Sequence, residues 1–266
     1  MIFSGKGGVG KSTLTVTLAH ALARIHAERV VGVLDADITG PSVPRMTGAV
    51  EERVHVSNRG WEPVWVADNM AMMSVGCLAE DDTQAVIWRG EHKNGVIKQF
   101  LRDVVWCDPD TSMEYLLIDT PPGTSDEHIT AVQMLKQCGG VTGCILVSTP
   151  QELAVQDVRK QLDFCRRVQL NVLGVVENMS GMQCPKCGYH ESILPRNTAS
   201  GVEEMCNTNK VAFLGQVPLD ARLAYCCDKG VNFLEEYADA PAAQALLSLA
   251  HTLDRRLSSD PSSTPS

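Results

Sequence analysis

Three groups of residues have the types and spacing to do chemistry. The first is Ser4-Gly5-Lys6-Gly7-Gly8-Val9-Gly10-Lys11-Ser12-Thr13. It satisfies the phosphate-binding pattern G-x-x-x-x-G-K-[ST], with Gly5, Gly10, Lys11 and Ser12 at the fixed positions. Glycines let a backbone wrap an anion with its N–H groups turned inward, and the helix that follows aims its positive end at the phosphates. Lys11 reaches the β- and γ-phosphates, and the Ser12 hydroxyl can ligate Mg²⁺. Gly5 through Thr13 are therefore candidate nucleotide-binding residues.

The second group is acidic. Val30–Asp37 reads VVGVLDAD, and Tyr115–Asp119 reads YLLID. Each is an apolar run that ends in carboxylate, which puts Asp35, Asp37 and Asp119 at the carboxyl edge of a parallel sheet, where open α/β folds bind ligands. Asp37 is the candidate for orienting or deprotonating an attacking water, Asp35 for supporting Mg²⁺ through a water, and Asp119 for holding Mg²⁺. An acidic helix cap is the competing reading for Asp35 and Asp37.

The third group is Cys184-Pro185-Lys186-Cys187-Gly188. A C-P-x-C turn points two thiolates at one soft metal centre, but two ligands do not close a tetrahedral site. His190 and Cys206 are possible further ligands. Alternatively, two chains each give Cys184 and Cys187 at a two-fold axis. Four thiolates suit Zn²⁺ or a [4Fe–4S] cluster, and spacing does not choose between them. A redox pair, a zinc knuckle and free thiols are the other readings.

The elements that must hold these groups alternate between apolar runs and helical patterns. Thr13–Ile25 has helical spacing after the glycine loop. Val54–Val75 alternates as a short β excursion ending in a strand at Met70–Val75. Thr83–Trp106 has helical spacing, with Arg89–Asn94 as its loop or cap, and His92 is a solvated side chain. Strands are expected at Val141–Thr149, Val172–Glu177 and Val211–Pro218, and helices at Val155–Val168 and Ala242–Leu257. Thr124–His128 is a switch and helix start, with Ser125 or Asp126 as its cap. This alternation predicts an α/β fold with a doubly wound, mostly parallel sheet. One domain is expected over 1–257, with the cysteine loop near 181–190 and a Ser/Pro-rich disordered tail over 258–266. Met1-Ile2-Phe3 is short for a central strand, which runs five or six residues on average. The expectation is that an upstream segment is missing.

Composition narrows the classes. The chain has 266 residues, 44% of them apolar, and a net charge of −9. An acidic chain offers no broad electrostatic footprint for nucleic acid or an anionic membrane. No run is long enough to cross a bilayer as a helix. Ten cysteines beside a nucleotide motif fit a reducing, cytoplasmic setting better than a disulfide scaffold. Cys77, Cys138, Cys144 and Cys165 read as core, while Cys226-Cys227 has no evident role.

In combination these motifs resemble the Mrp/NBP-type iron–sulfur scaffold ATPases, a branch of the ParA/MinD group. The resemblance runs over about residues 1–255, through SGKGGVGKST (4–13), LDADITGPSVPRM (34–46), AVIWRG (85–90), IKQFLRDV (97–104), LLIDTPPGTSDEH (116–128), STPQELAVQDVRK (148–160), GVVENMSGMQCPKCG (174–188) and GQVPLD (215–220). It implies a deviant phosphate loop in which Lys6 reaches the partner's nucleotide across a dimer interface. It implies ATP with Asn178 and the Val217-Pro218 stretch at the adenine, and ATP hydrolysis that is slow alone. It also implies a labile [4Fe–4S] cluster bridged by Cys184 and Cys187 of two subunits and passed to cytosolic and nuclear apo-proteins. Partners would be a second copy or a related scaffold ATPase, apo iron–sulfur proteins and targeting factors. One sub-branch carries a four-cysteine motif ahead of the glycine loop that this sequence lacks, and Glu91-His92 departs from the family's usual Pro and polar residue. The competing reading is a ParA/MinD-type nucleotide switch with structural zinc. The last helix lacks the lysine-rich amphipathic anchor a membrane-bound switch would use.

Overall fold

The computed structural model describes residues 1–38, 40–78, 90–108, 110–123, 126–137, 140–184, 186–194 and 201–259. β1 (Ile2–Ser4) passes through the glycine loop into α1 (Lys11–Ile25), followed by β2 (Val30–Asp35) and a short α2 (Val43–Met46). The β excursion comprises β3 (His55–Ser57), β4 (Gly60–Glu62), β5 (Val64–Ala67) and β6 (Met70–Met73). Then come α3 (Gly90–Asp103), β7 (Met113–Asp119), α4 (Asp126–Gln137), β8 (Cys144–Ser148), α5 (Glu152–Arg167) and β9 (Val172–Asn178). The remainder is β10 (Met182–Gln183), β11 (His190–Glu191), α6 (Val202–Asn209), β12 (Phe213–Val217), α7 (Ala221–Lys229), α8 (Phe233–Glu236) and α9 (Pro241–Ser258).

The central sheet has eight strands in the order β12-β9-β8-β1-β7-β2-β6-β5. Its pairs are parallel except β5 on β6, which is antiparallel. The cause lies in the strand sequences. VVGVLD and CILVS are buried at every position, as strands covered on both faces must be. One apolar cluster joins α1, α7, α8 and α9 to one face, through residues such as Leu18, Leu223, Phe233 and Leu249. A second joins α3, α4, α5 and α6 to the other, through Phe100, Val132, Leu162 and Met205. Truncating a fully buried residue such as Leu34 or Leu146 to alanine costs about 2–5 kcal/mol.

β1 lies in the middle of this sheet. It pairs with β8 at Ile2, Phe3 and Ser4, but with β7 at Ile2↔Asp119 alone. The doubly wound parallel architecture agrees with expectation, and several boundaries differ. β2 ends at Asp35, so Asp37 stands in the loop beyond it. α3 begins at Gly90, so residues 90–94 form its first turns and not a loop. Four helices, α2, α6, α7 and α8, were not expected. They are short, and two of them are announced by capping side chains: Asp220 accepts from Arg222 N–H and Asn232 from Leu234 N–H. Ser258 belongs to α9 and not to a tail. The readings for Val86, Arg89, Thr124, Ser125, Cys138 and the tail from 260 onward lie outside the described residues.

Candidate nucleotide site and cysteine hairpin

The glycine loop gets its shape from two residues in left-handed backbone. Gly8 has φ 81° and Gly10 φ 84°, and Gly10 is also the N-cap of α1. α1 has no acidic residue in its first turn, so its positive end meets no carboxylate of its own. Two neighbours then hold the loop close. A Cβ added at Gly10 would overlap the Asn178 side-chain amide, and one at Gly5 would overlap Asp157 on α5. The Asn178 amide donates to the Val9 carbonyl at 2.9 Å. The last residue of β9 thus fixes the loop from below. Lys6 is half-exposed and has no ion-pair partner among the described residues, while Gly7 and Gly8 are exposed beside it.

The acids converge as their strand positions dictate. Asp35 and Asp119 are register partners on β2 and β7. Both are fully buried. Lys11 Nζ stands 2.7 Å from Asp119 Oδ1. Ser12 Oγ donates to Asp119 Oδ2 at 2.5 Å, and Thr15 Oγ1 donates to Oδ1 at 2.8 Å. Three side chains of the first turns of α1 therefore meet one carboxylate. Thr15 was not among the expected site residues, although its spacing from Lys11, one helical turn, was the available signal. The Ser12–Asp119 pair is an all-oxygen donor set suited to a hard divalent cation such as Mg²⁺.

Asp35 is placed differently from Asp119. Its Oδ1 accepts from Asp37 N–H at 3.1 Å, and its Oδ2 from Val43 N–H at 3.3 Å and Ser74 Oγ at 3.1 Å. Burial first, and the Asp119 charge second, raise its carboxyl to about 7. Asp35 thereby pins the loop that carries Asp37, and Asp37 itself is half-buried two residues beyond the strand. Beyond β7, Thr120 Oγ1 donates to Ile2 O at 2.8 Å and Gly123 N–H donates to Ser4 O at 2.9 Å. The segment after Asp119 is tied to the strand that starts the glycine loop.

The cysteine pair tops a hairpin that grows from the end of β9. Its base is stitched to the end of β12: Ser180 N–H donates to Val217 O at 3.1 Å, and Leu219 N–H donates to Gly181 O at 2.7 Å. β10 and β11 pair through Met182↔Glu191 and Gln183↔His190. Cys184 N–H donates to Tyr189 O at 2.8 Å and Gly188 N–H to Cys184 O at 2.9 Å, closing the turn. Backbone N–H groups of Cys187 and Lys186, and then the Cys187 thiol, donate to the Cys184 sulfur and hold its pKa below the ordinary thiol value. Cys184 is half-buried and Cys187 exposed.

The proposed extra ligands do not join them. Cys206 is buried within α6, and burial together with Glu203 and Glu177 pushes its thiol up to about 12. The His190 ring is packed over Gly181. Among the described residues, no three His, Cys, Asp or Glu side chains are grouped to hold a metal ion. Cys77, Cys144 and Cys165 are buried as expected of core thiols. Cys226 and Cys227 are buried on α7, where Cys227 hydrogen-bonds the Thr13 side chain behind the loop.

A parallel sheet whose central strand leads into this loop, with Lys11 and Ser12 gathered on Asp119 of the next strand, defines a P-loop nucleoside triphosphatase. The chain belongs to the ParA family: the model described as ParA, NUBPL iron-transfer P-loop NTPase, matches residues 1–254. It is 50% identical over 253 residues to the cytosolic Fe-S cluster assembly factor NBP35 of Eremothecium gossypii, covering 95% of this chain and 74% of that protein. Among solved structures it is similar to the nucleotide-binding protein of Archaeoglobus fulgidus in complex with ADP. That match has a TM-score of 0.71 and 35% identity over 87% of this chain and 86% of the other. The septum site-determining protein MinD of Pyrococcus horikoshii, complexed with Mg-ADP, shares the fold, with a TM-score of 0.64 and 20% identity over 96% of this chain and 95% of the other.

Proposed function

We propose that this protein is an ATP-dependent scaffold that assembles a labile [4Fe–4S] cluster on a dimer and passes it to cytosolic and nuclear apo-proteins. The observation that carries the reading is the hairpin. It offers two accessible thiols, with N–H donors aimed at one of them, and no further ligand grouped with them among the described residues. Two such hairpins facing each other supply four thiolates, which is a complete ligand set for the cargo. The relative named as a cytosolic Fe-S cluster assembly factor supports the same reading and a cytosolic location. No helix among the described residues is long and apolar enough to cross a membrane.

ATP and Mg²⁺ fit the residues present. The left-handed glycines and the free end of α1 suit phosphate, and Ser12 with Asp119 suits the cation. In this reading Gly5, Gly7, Gly8, Val9, Gly10 and Thr13 line the phosphates, and Asn178 and Pro218 border the adenine. Lys11 turns from Asp119 to the phosphates and stabilises charge developing on them. Lys6 reaches the partner subunit's nucleotide. Asp37 orients the attacking water, and Asp35 supports the cation through water while holding Asp37 in place. Bound Mg²⁺ would supply charge neutralisation at the transferred phosphoryl group.

Anaerobic reconstitution with iron and sulfide tests the proposal. The expected result is about four iron and four sulfide per dimer, lost in Cys184→Ala and in Cys187→Ala with nucleotide binding intact. Tight zinc without sulfide uptake would instead make the hairpin a structural knuckle and the protein a nucleotide switch.

A further inference from the structure

The turn after β7 is fastened in its middle by a side chain. Thr120-Pro121-Pro122-Gly123 follows directly on Asp119, the carboxylate that Lys11, Ser12 and Thr15 meet. Two of its four residues are proline and have no N–H, so a backbone ladder cannot carry it. Its ends are tied to β1, by Thr120 Oγ1 at Ile2 O and by Gly123 N–H at Ser4 O. Between them, His128 Nε2 lies 2.9 Å from Pro121 O. A carbonyl oxygen only accepts, so Nε2 carries the hydrogen and donates it.

The imidazole is held as firmly as its nitrogen. His128, the third residue of α4, is 1% exposed. Its ring meets Phe3 edge-on, with centroids 5.3 Å apart, and Phe164 at 6.2 Å. Phe3 and Phe164 also meet each other at 6.2 Å. Phe3 belongs to β1, which delivers the glycine loop. Phe164 belongs to α5, whose Asp157 lies against Gly5. One side chain therefore touches the turn beyond Asp119 and both elements that flank the start of the glycine loop. An apolar ring would fill this site without the desolvation that a buried imidazole brings, which only hydrogen bonding offsets. The bond to Pro121 O is something histidine adds here and phenylalanine would not.

We infer that His128 is a positioning residue for phosphoryl transfer, acting through Pro121 O to fix the turn at the end of β7 and with it the approach of Asp119 to Ser12. The inference rests on the ATP-hydrolysing reading proposed above. The glycine loop keeps its own supports, the left-handed Gly8 and Gly10 and the Asn178 amide on Val9 O. Turnover should therefore depend on His128 far more than nucleotide binding does.

The test is single-turnover hydrolysis with protein in excess of ATP, alongside hydrogen exchange at the Gly123 amide. His128→Phe and His128→Met fill the site without a donor, and His128→Gln keeps one. Both donor-free variants should lose about tenfold in hydrolysis rate, the size of one hydrogen bond, while ATP affinity stays within about threefold. Gly123 exchange should quicken by about the same factor, and His128→Gln should recover most of both losses. A role in packing alone would lower the melting temperature without separating rate from affinity or responding to glutamine. Parent rates in the donor-free variants would overturn the inference, and if one of them fails to fold the other decides. So would a glutamine variant as slow as that pair, or quickened exchange with unchanged turnover. A parent chain without turnover, matched by Lys11→Ala, would instead remove the hydrolase reading and this inference with it.

Discussion

Gly10→Ala is the sharpest test of how the phosphate loop is held. Gly10 has φ 84°, where a residue with a Cβ costs about 1–2 kcal/mol. The new methyl would also overlap the Asn178 amide and displace it from the Val9 carbonyl, forfeiting a hydrogen bond of about 1–1.5 kcal/mol. The sum is about 2–3.5 kcal/mol, borne by the conformation that faces the phosphates. At 1.4 kcal/mol per tenfold, ATP should bind roughly 30- to 300-fold more weakly. The assay is titration with a fluorescent ATP analogue, with thermal melts in parallel. Asn178→Ala added to Gly10→Ala removes the overlap, so the double variant should recover about 1 kcal/mol against simple addition. Binding within about threefold of the parent, with an unchanged melt, would refute the account. Strict additivity of the two changes would refute the part assigned to Asn178.

Lys11→Ala removes the group meant for the phosphates, and ATP turnover should fall by about a hundredfold or more; unchanged turnover would end the hydrolase reading. Lys6→Ala should lower activity most at low protein concentration, because its proposed target lies on the partner subunit; a loss independent of concentration argues for a role within one chain. Asp220 caps α7 and pairs with Arg222 at 2.7 Å. The Arg222 hydrogen bond holds the Asp220 carboxyl below its ordinary value. Its contribution is therefore present above the unfolded pKa and lost as pH falls through the lower folded one. Urea titrations from neutral to acid pH should show a shallower acid loss in Asp220→Asn, and Asp220→Ala should cost about 1 kcal/mol at neutral pH through the lost cap.

Much of this was legible because it is local. The glycine loop, the helix after it and the strand-end acids each lie within a few residues, and apolar runs such as VVGVLD announce buried strands by themselves. Contacts made across the chain were not legible. The sequence separates Asp35 from Ser74 by 39 positions and Asn178 from Val9 by 169. Their roles appear only once β2 lies beside β6 and β9 ends beneath the loop. Thr15 was hidden because a threonine inside a helix reads as ordinary packing until Asp119 arrives from β7. The absence of His190 and Cys206 from the thiol pair was equally unreadable, since closeness in sequence says nothing of which way a ring or a buried helix turns.

The hairpin's attachment has an engineering consequence. Residues 182–191 meet the sheet through a base held by Ser180, Gly181, Val217 and Leu219, and their own bonds close on themselves. In the proposed reading, the thiol-bearing tip is thus a module seated on the ends of β9 and β12. Its tip could be exchanged for a turn with another ligand set while β9, β12 and the Asn178 support of the loop stay as they are. If the proposed function holds, the same nucleotide site would then serve hairpins with different ligand sets.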